Sequence, residues 1–457
     1  MILPRPGPAR NALPVLVGAA ALAFSVCLYF PGWLSFDSAY QLWQVRTGHF
    51  SNQSAVTMAA LWKLVYALWP SPGALLALHF AAFWAGLVLL ALQLWQHSVP
   101  RIAFLLAVGF VPPAFVVMGH LWTDASLIAA MTLAFGLTAT ALLQRRVLPL
   151  LLAIPVILYA GAVRHNSLFA IVPLAALWAQ ALLAALAGRS GATAAKHRRT
   201  AIVGVTALVV AASFGFGRGL DHWLARERVS TWALVVLWDL AAISVRTGSM
   251  AVPAFARTPG LTLDDLRRDY TPLVNVPLFV SEQHVRHGLD DAERYSDAEL
   301  AALRSAWLAA IASHPASYAA HRWNVTAALF GRYRSSLEGL FFTPMVVPYQ
   351  DNPDPGPALW SLRERWAELV RRTRGWLIFM PALYLAVAAG AAGWAWPRRA
   401  SPAGMLALCL AASGLLLVLP LTLAAPSAEL RYSGWLFVSS VAAAAACGAR
   451  IAGSRRA

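Results

Sequence analysis

The sequence predicts an all-α membrane protein with about ten transmembrane helices, amphipathic surface helices in the first outer loop, and a small helical extracytoplasmic domain. Three observations predict it. The 457 residues are 59% hydrophobic and only 12% charged, about half the charged fraction of a soluble domain. Apolar runs near the ~20 residues needed to cross a bilayer recur along the chain. The basic residues of the short loops fall in alternate loops. A net charge of +16 would suit a nucleic-acid partner if it were clustered, but these charges sit between apolar runs, so no nucleic acid is expected.

The predicted spans cover 11–30, 73–96, 102–119, 125–144, 147–163, 167–188, 200–219, 375–396, 402–425 and 433–449. In the first, Ala21-Leu22-Ala23 resembles a cleavage site, yet the apolar run continues to Phe30, so the segment is read as an uncleaved span. Arg5, Arg10, Arg101, Arg145, Arg146, Arg189, Lys196, Arg198, Arg199, Arg398, Arg399, Arg450, Arg455 and Arg456 fall on one side and all twenty acids on the other. The positive-inside rule makes the first side cytoplasmic, with both termini; the Ala-, Arg- and Leu-rich composition suits a multi-pass protein of an inner (plasma) membrane. The stretch Thr231–Ser244 is apolar but short and carries Asp239; as a span it would invert everything after it, so it is expected at the interface or inside the large loop.

The first outer loop, 31–72, places Leu, Trp and Tyr at helical spacing in Ser38–Gly48 and Met58–Trp69, predicting two helices along the membrane surface, with Trp62, Tyr66 and Trp69 at headgroup level. The second outer region holds seventeen acids and eighteen arginines, counting Arg218. Within it, Ser296-Asp297-Ala298-Glu299 is a capping box before a helical pattern through Ile311, Pro315 opens a second helix, and an amphipathic helix is expected over 358–372 after the loop Asp351–Pro357. The chain thus divides into an N-terminal transmembrane module (1–219), an extracytoplasmic helical domain (220–374) and a C-terminal transmembrane module (375–457).

Outside that domain three acids remain, Asp37, Asp124 and Glu429, each beyond the outer end of a different span. Arg164, with His165 and Asn166, and Arg431 share their level. Ionisable groups at a bilayer cost energy and are retained for a role. A carboxylate can take an acceptor's proton or hold a divalent cation; a guanidinium can grip a phosphate. Each also has a plain structural role open to it. Asp37 and Asp124 can cap helices, Glu429 and Arg431 can form a rim ion pair, Arg164 can snorkel to headgroups, and His165 can be a solvated neighbour. Cys27, Cys409 and Cys447 lie in apolar stretches without metal-site or disulfide spacing. No P-loop or HExxH string occurs.

The run PGWLSFDSAYQLWQVRTGHF, then MAALWKLVYALW, GHLWTDASL and RHNSLFAIVPL, resembles in order and topology the GT-C superfamily of integral-membrane glycosyltransferases. The resemblance is clearest over 20–180 and recurs at Trp238-Asp239-Leu240 and Glu429-Leu430-Arg431-Tyr432. It implies transfer of a hexosyl or pentosyl group, with inversion, from a polyprenyl-phosphate-linked sugar to a glycan, lipid or protein acceptor on the extracytoplasmic face. Asp37 matches the first-loop aspartate, a base or metal ligand. Asp124 matches the second-loop acid, and Arg164 and Arg431 are candidates for the lipid phosphate. His165, Glu429 and Asp239 are further substrate-binding candidates. A divalent cation (Mg or Mn), if used, would fall to Asp37 and Asp124; Asp37 is followed by Ser38, not by a second acid. An O-antigen ligase or polymerase type of enzyme, and a lipid-linked glycan flippase or permease, are the alternatives. Asp37→Asn would abolish activity in the first reading and spare it in the ligase.

Overall fold

The computed structural model describes residues 8–187, 198–281, 284–286, 294–332, 346–357 and 361–449, and 76% of it is helical. In chain order, α1 (Pro8–Tyr29) leads into α2 (Phe36–Thr47), β1 (Phe50–Ser51), α3 (Val56–Leu68) and α4 (Pro72–Leu94). Next come α5 (Ser98–Gly109), α6 (Pro112–Met118), α7 (Thr123–Gln144), α8 (Val147–Ala162), α9 (Ser167–Ala187), α10 (Arg198–Leu224) and β2 (Ala225–Glu227). Then follow α11 (Trp232–Thr247), α12 (Leu263–Asp269), α13 (Asp297–Ser313), α14 (Pro315–Leu329) and α15 (Leu362–Thr373). The chain ends with α16 (Pro381–Ala395), α17 (Pro402–Val418), α18 (Leu421–Ala424) and α19 (Gly434–Cys447). Among the described residues six helices are long and apolar enough to cross a membrane, at Asn11–Tyr29, Pro72–Leu94, Thr123–Gln144, Ser167–Leu186, Arg198–Leu224 and Pro402–Ala424. The protein is an all-α chain built for a bilayer.

The remaining apolar segments are helical but differ from simple spans. The run 102–119 is not one rod: α5 and α6 meet at a 66° bend. Pro112 and Pro113 explain it, since proline lacks a donor N–H and drives the preceding residue out of helical geometry. Helices α8, α16 and α19 have 16, 15 and 14 residues, about 21–24 Å at 1.5 Å per residue.

Starts and stops follow local chemistry. Ser71 caps α4 by accepting from the Gly73 N–H at 3.1 Å, and Ser401 does the same for Gly404 in α17; Pro72 and Pro402 occupy the tolerant first turn. Ser296 and Glu299 form the expected capping box of α13. Gly48, at φ +73°, ends α2 in the left-handed conformation that glycine adopts without strain.

Packing is close where side chains are small. Helix α7 packs on α4, α8 and α9, and α19 packs on α16 and α17 while also reaching α7. A Cβ built on Gly136 would stand 2.6 Å from the Gly86 oxygen, so α4 and α7 approach backbone to backbone. Helix α10 is little covered by protein, with Val203, Leu208 and Trp223 exposed.

The first loop differs from its expectation. Both helices form, but Trp62 is fully buried in the protein core rather than at headgroup level, and α2 buries Ser38 through Leu42. Trp69 is 47% exposed. Strands β1 and β2 pair in parallel, tying this loop to the chain beyond α10. Segment 346–352 crosses α2: the Val347 N–H donates to the Leu34 carbonyl, Asn352 to the Ala39 carbonyl, and Arg46 pairs with Asp351. The apolar stretch around Asp239 becomes α11, a 16-residue helix that packs on α12, α13 and α14. Arg5, Arg189, Lys196, Arg450, Arg455 and Arg456 lie outside the described residues.

Candidate functional site

Asp37 and Asp124 are each the second residue of a helix, α2 and α7. Neither caps its helix, because neither helix has a side-chain cap bond at its start. Each carboxylate instead faces an arginine brought from elsewhere. The Arg431 Nη1 donates to Asp37 Oδ2 at 2.8 Å, and its Nε faces Glu429. Arg164, in the turn between α8 and α9, pairs with Asp124. Thus three carboxylates and two guanidiniums from four separate points of the chain meet at one end of the bundle.

Aromatic rings separate and steer these charges. The Arg431 guanidinium lies 4.7 Å from the Trp122 ring and 5.5 Å from that of Tyr432, and the Arg164 guanidinium lies 5.0 Å from the Tyr432 ring as well. Cation–π contact suits such partly dehydrated arginines. Trp122 is held in turn, its indole N–H donating to Ser35 at 2.7 Å and its ring stacked on His120. His120 is edge-on to Trp33. Ser427 donates to Glu429 at 2.7 Å and lies 3.1 Å from the Tyr432 hydroxyl. These partners were not foreseen as site residues, although Trp122 and Tyr432 adjoin the charged residues in the strings that drew attention.

The electrostatics follow from burial. For Arg431, dehydration works against the charge, but Glu429, Asp37, Tyr432 and Asp124 outweigh it and hold the guanidinium more firmly protonated than usual. Burial, then Glu429, push the Tyr432 phenol up. Burial pushes His120 down to about 3, so the ring is neutral; with Nδ1 3.0 Å from the Val116 carbonyl, that nitrogen carries the proton.

Access differs between the two aspartates. Asp124 is 4% exposed, and its Oδ2 is buried without a hydrogen-bond partner among the described residues. Asp37 is 46% exposed, and its Oδ1 accepts from no group among the described residues. Asp37 is therefore the carboxylate that an arriving molecule meets first.

Two further candidates stand apart. His165 is exposed beside Arg164 and makes no hydrogen bond among the described residues. Asp239 is fully buried in a second cluster, accepting from Arg322 at 2.7 Å and from Trp307 at 3.0 Å, with His321 at 3.2 Å. That cluster braces the domain against the bundle, since Arg322 also donates to the Ala425 carbonyl at 3.0 Å. Asp239 is sealed by protein rather than open to a substrate.

The two arginines expected to await a phosphate are engaged by carboxylates. Equally, Asp37 and Asp124 each face a guanidinium and not one another, so they do not form a cradle for a divalent cation. Among the described residues no three His, Cys, Asp or Glu side chains gather as a metal site. Comparison with protein-family models, curated proteins and solved structures finds nothing that matches this chain.

Proposed function

We propose that the protein is a membrane glycosyltransferase that moves a sugar from a polyprenyl-phosphate carrier to an acceptor on the extracytoplasmic face of the membrane. The observation that carries this reading is the pairing of a half-exposed carboxylate, Asp37, with the partly buried Arg431 at the end of the bundle. Arg431 orients one oxygen and leaves the other free, the arrangement a general base needs.

In this reading the acceptor hydroxyl gives its proton to Asp37 while its oxygen attacks the anomeric carbon. The bond from that carbon to the phosphate oxygen breaks, and the carrier leaves as polyprenyl phosphate. Attack opposite the leaving group inverts the centre. Asp124 and Arg164 hold the floor of the site, and Trp122 and Tyr432 keep water from the guanidiniums.

The topology that goes with this function counts each of the ten apolar runs of near-bilayer length as a crossing, with the α5–α6 pair bent and α8, α16 and α19 short. Both termini then face the cytoplasm of an inner membrane, and the site faces outward. The test is incubation of purified protein with radiolabelled polyprenyl-phosphate sugars and candidate acceptors, comparing Asp37→Asn with the unaltered chain. Transfer that survives the substitution refutes the proposal.

A further inference from the structure

Arginine is comfortable in a protein interior when its five N–H donors are satisfied and a carboxylate balances its charge. Arg164, Arg322 and Arg431 meet the second condition, with Asp124, Asp239 and Asp37, although the Nε of Arg322 is also buried without a hydrogen bond among the described residues. Arg363 does not. It is the second residue of α15 and only 5% exposed. Its single hydrogen bond among the described residues is a long one, Nη1 to the Phe30 carbonyl at 3.4 Å. Its Nε is buried without a partner, and no carboxylate pairs with it among the described residues. The Trp33 ring, 5.6 Å from the guanidinium carbon, supplies its nearest soft contact. Burial brings its pKa down to about 10, against the pull of Tyr29 and Glu364.

The surroundings say which kind of partner is wanted. Phe30 follows the last residue of α1, and its ring stacks on Trp69, which is 47% exposed, beside Leu68 at 88%. Beyond the far end of α15, Trp376, Leu377 and Ile378 are exposed apolar residues leading to α16. Arg363 thus sits where α1 ends and exposed apolar surface begins, the level of lipid headgroups. The start of α15 adds a positive helix end with no side-chain cap. A planar fork of unused donors at that level matches a phosphate oxygen pair.

We propose that Arg363 receives the phosphate of a lipid anion that approaches between the end of α1 and the start of α15. The inference deepens the glycosyl-transfer reading and rests on it only in naming the sugar's carrier as that lipid. It assigns the carrier's phosphate to Arg363 and leaves Arg164 and Arg431 to their carboxylates.

The test measures binding of farnesyl phosphate to the full-length protein in detergent, without turnover, by ligand-induced thermal shift. The unaltered protein and Arg371→Gln, an exposed arginine on the same helix, should bind alike. Arg363→Gln should bind about tenfold more weakly or worse, and Arg363→Lys should fall between. Farnesol should not bind. Inorganic phosphate should bind weakly through the same residue. Competition by phosphatidylglycerol identifies a bulk headgroup as the occupant; its failure to compete identifies the polyprenyl carrier. Equal binding by Arg363→Gln, or no binding of either lipid by the unaltered chain, overturns the proposal. If Arg363→Gln does not fold, a diazirine-bearing farnesyl phosphate on the unaltered protein decides. Crosslinks to 29–34 or 361–366 support the site, and crosslinks confined to other segments refute it. Because binding is read separately, absence of sugar transfer would sink the enzymatic reading and leave this site standing. Normal transfer with unweakened lipid binding in Arg363→Gln would do the reverse.

Discussion

Arg431 reaches back across 394 positions of sequence to bond Asp37 at 2.8 Å. It faces Glu429 at the same time, so one guanidinium holds two carboxylates. Asp37 keeps a free oxygen at the surface while its helix is pinned from behind. Replacing Asp37 by Asn retains the shape and the bond-accepting oxygen but removes the base. Transfer from a polyprenyl-phosphate sugar should fall by about a hundredfold or more, with the melting temperature nearly unchanged. Radiolabel transfer and a thermal melt of the same preparation check both halves.

Arg431→Met should lower stability, because it leaves Asp37 and Glu429 without their cation. Breaking a fully buried pair from one side costs about 3–5 kcal/mol; with Glu429 15% and Asp37 46% exposed, the loss here should be smaller, about 1–3 kcal/mol. Adding Glu429→Gln to Arg431→Met should restore part of that loss, since one stranded carboxylate disappears. A double-mutant cycle by thermal or denaturant unfolding in detergent should show coupling of about 0.5–3 kcal/mol. Additive effects would mean the two residues do not act together.

Asp239→Asn should also destabilise, for the same reason and by about 3–5 kcal/mol, since Arg322 at 5% exposure loses its counter-charge. The change should show first as faster hydrogen exchange at Ala428, whose N–H donates to the Leu273 carbonyl at 2.7 Å. Binding of farnesyl phosphate should be unaffected, which separates bracing from substrate contact.

His120 gives a pH signature. Its folded pKa is about 3 against an ordinary 6.5, so below pH 6.5 the unfolded chain takes up a proton that the folded chain refuses. Stability therefore declines as pH falls from about 6.5 towards 3, by at most about 1.4 kcal/mol per unit from this group. His120→Phe keeps a ring beneath Trp122 and should flatten that part of the curve. Melting temperatures of both proteins between pH 7 and 5 provide the comparison.

Gly136→Ala tests the link between packing and site. The added methyl meets the Gly86 oxygen at 2.6 Å, and overpacking of this kind costs about 1–3 kcal/mol. Helix α7 must move away from α4, carrying Asp124 at its start. A lower melting temperature together with weakened transfer is expected; transfer unchanged at full occupancy of the fold would show that Asp124 tolerates the shift.

The helices were legible because apolar runs of bilayer length admit no other structure in lipid. The bend after Gly109 was not read, although Pro112-Pro113 announces it, since hydropathy averages over a window and does not register a missing N–H. The five charges of the site stood out because charge is scarce at the ends of the spans. Trp62 misled because an aromatic residue beside a lysine looks the same whether protein or headgroups cover it. Arg363 gave no signal at all. It is one of many arginines in a mixed-charge region, and only the fold shows that no carboxylate among the described residues, Glu364 and Glu368 of α15 included, pairs with it.

The strap formed by residues 346–352 has a consequence for how the chain is handled after synthesis. It bonds both Leu34 and Ala39, on either side of Asp37. A single cut by a protease between residues 347 and 352 would leave every apolar helix intact and yet slacken the backbone that aims the carboxylate. Such nicked molecules would still insert, purify and melt as full-length protein does, while losing turnover.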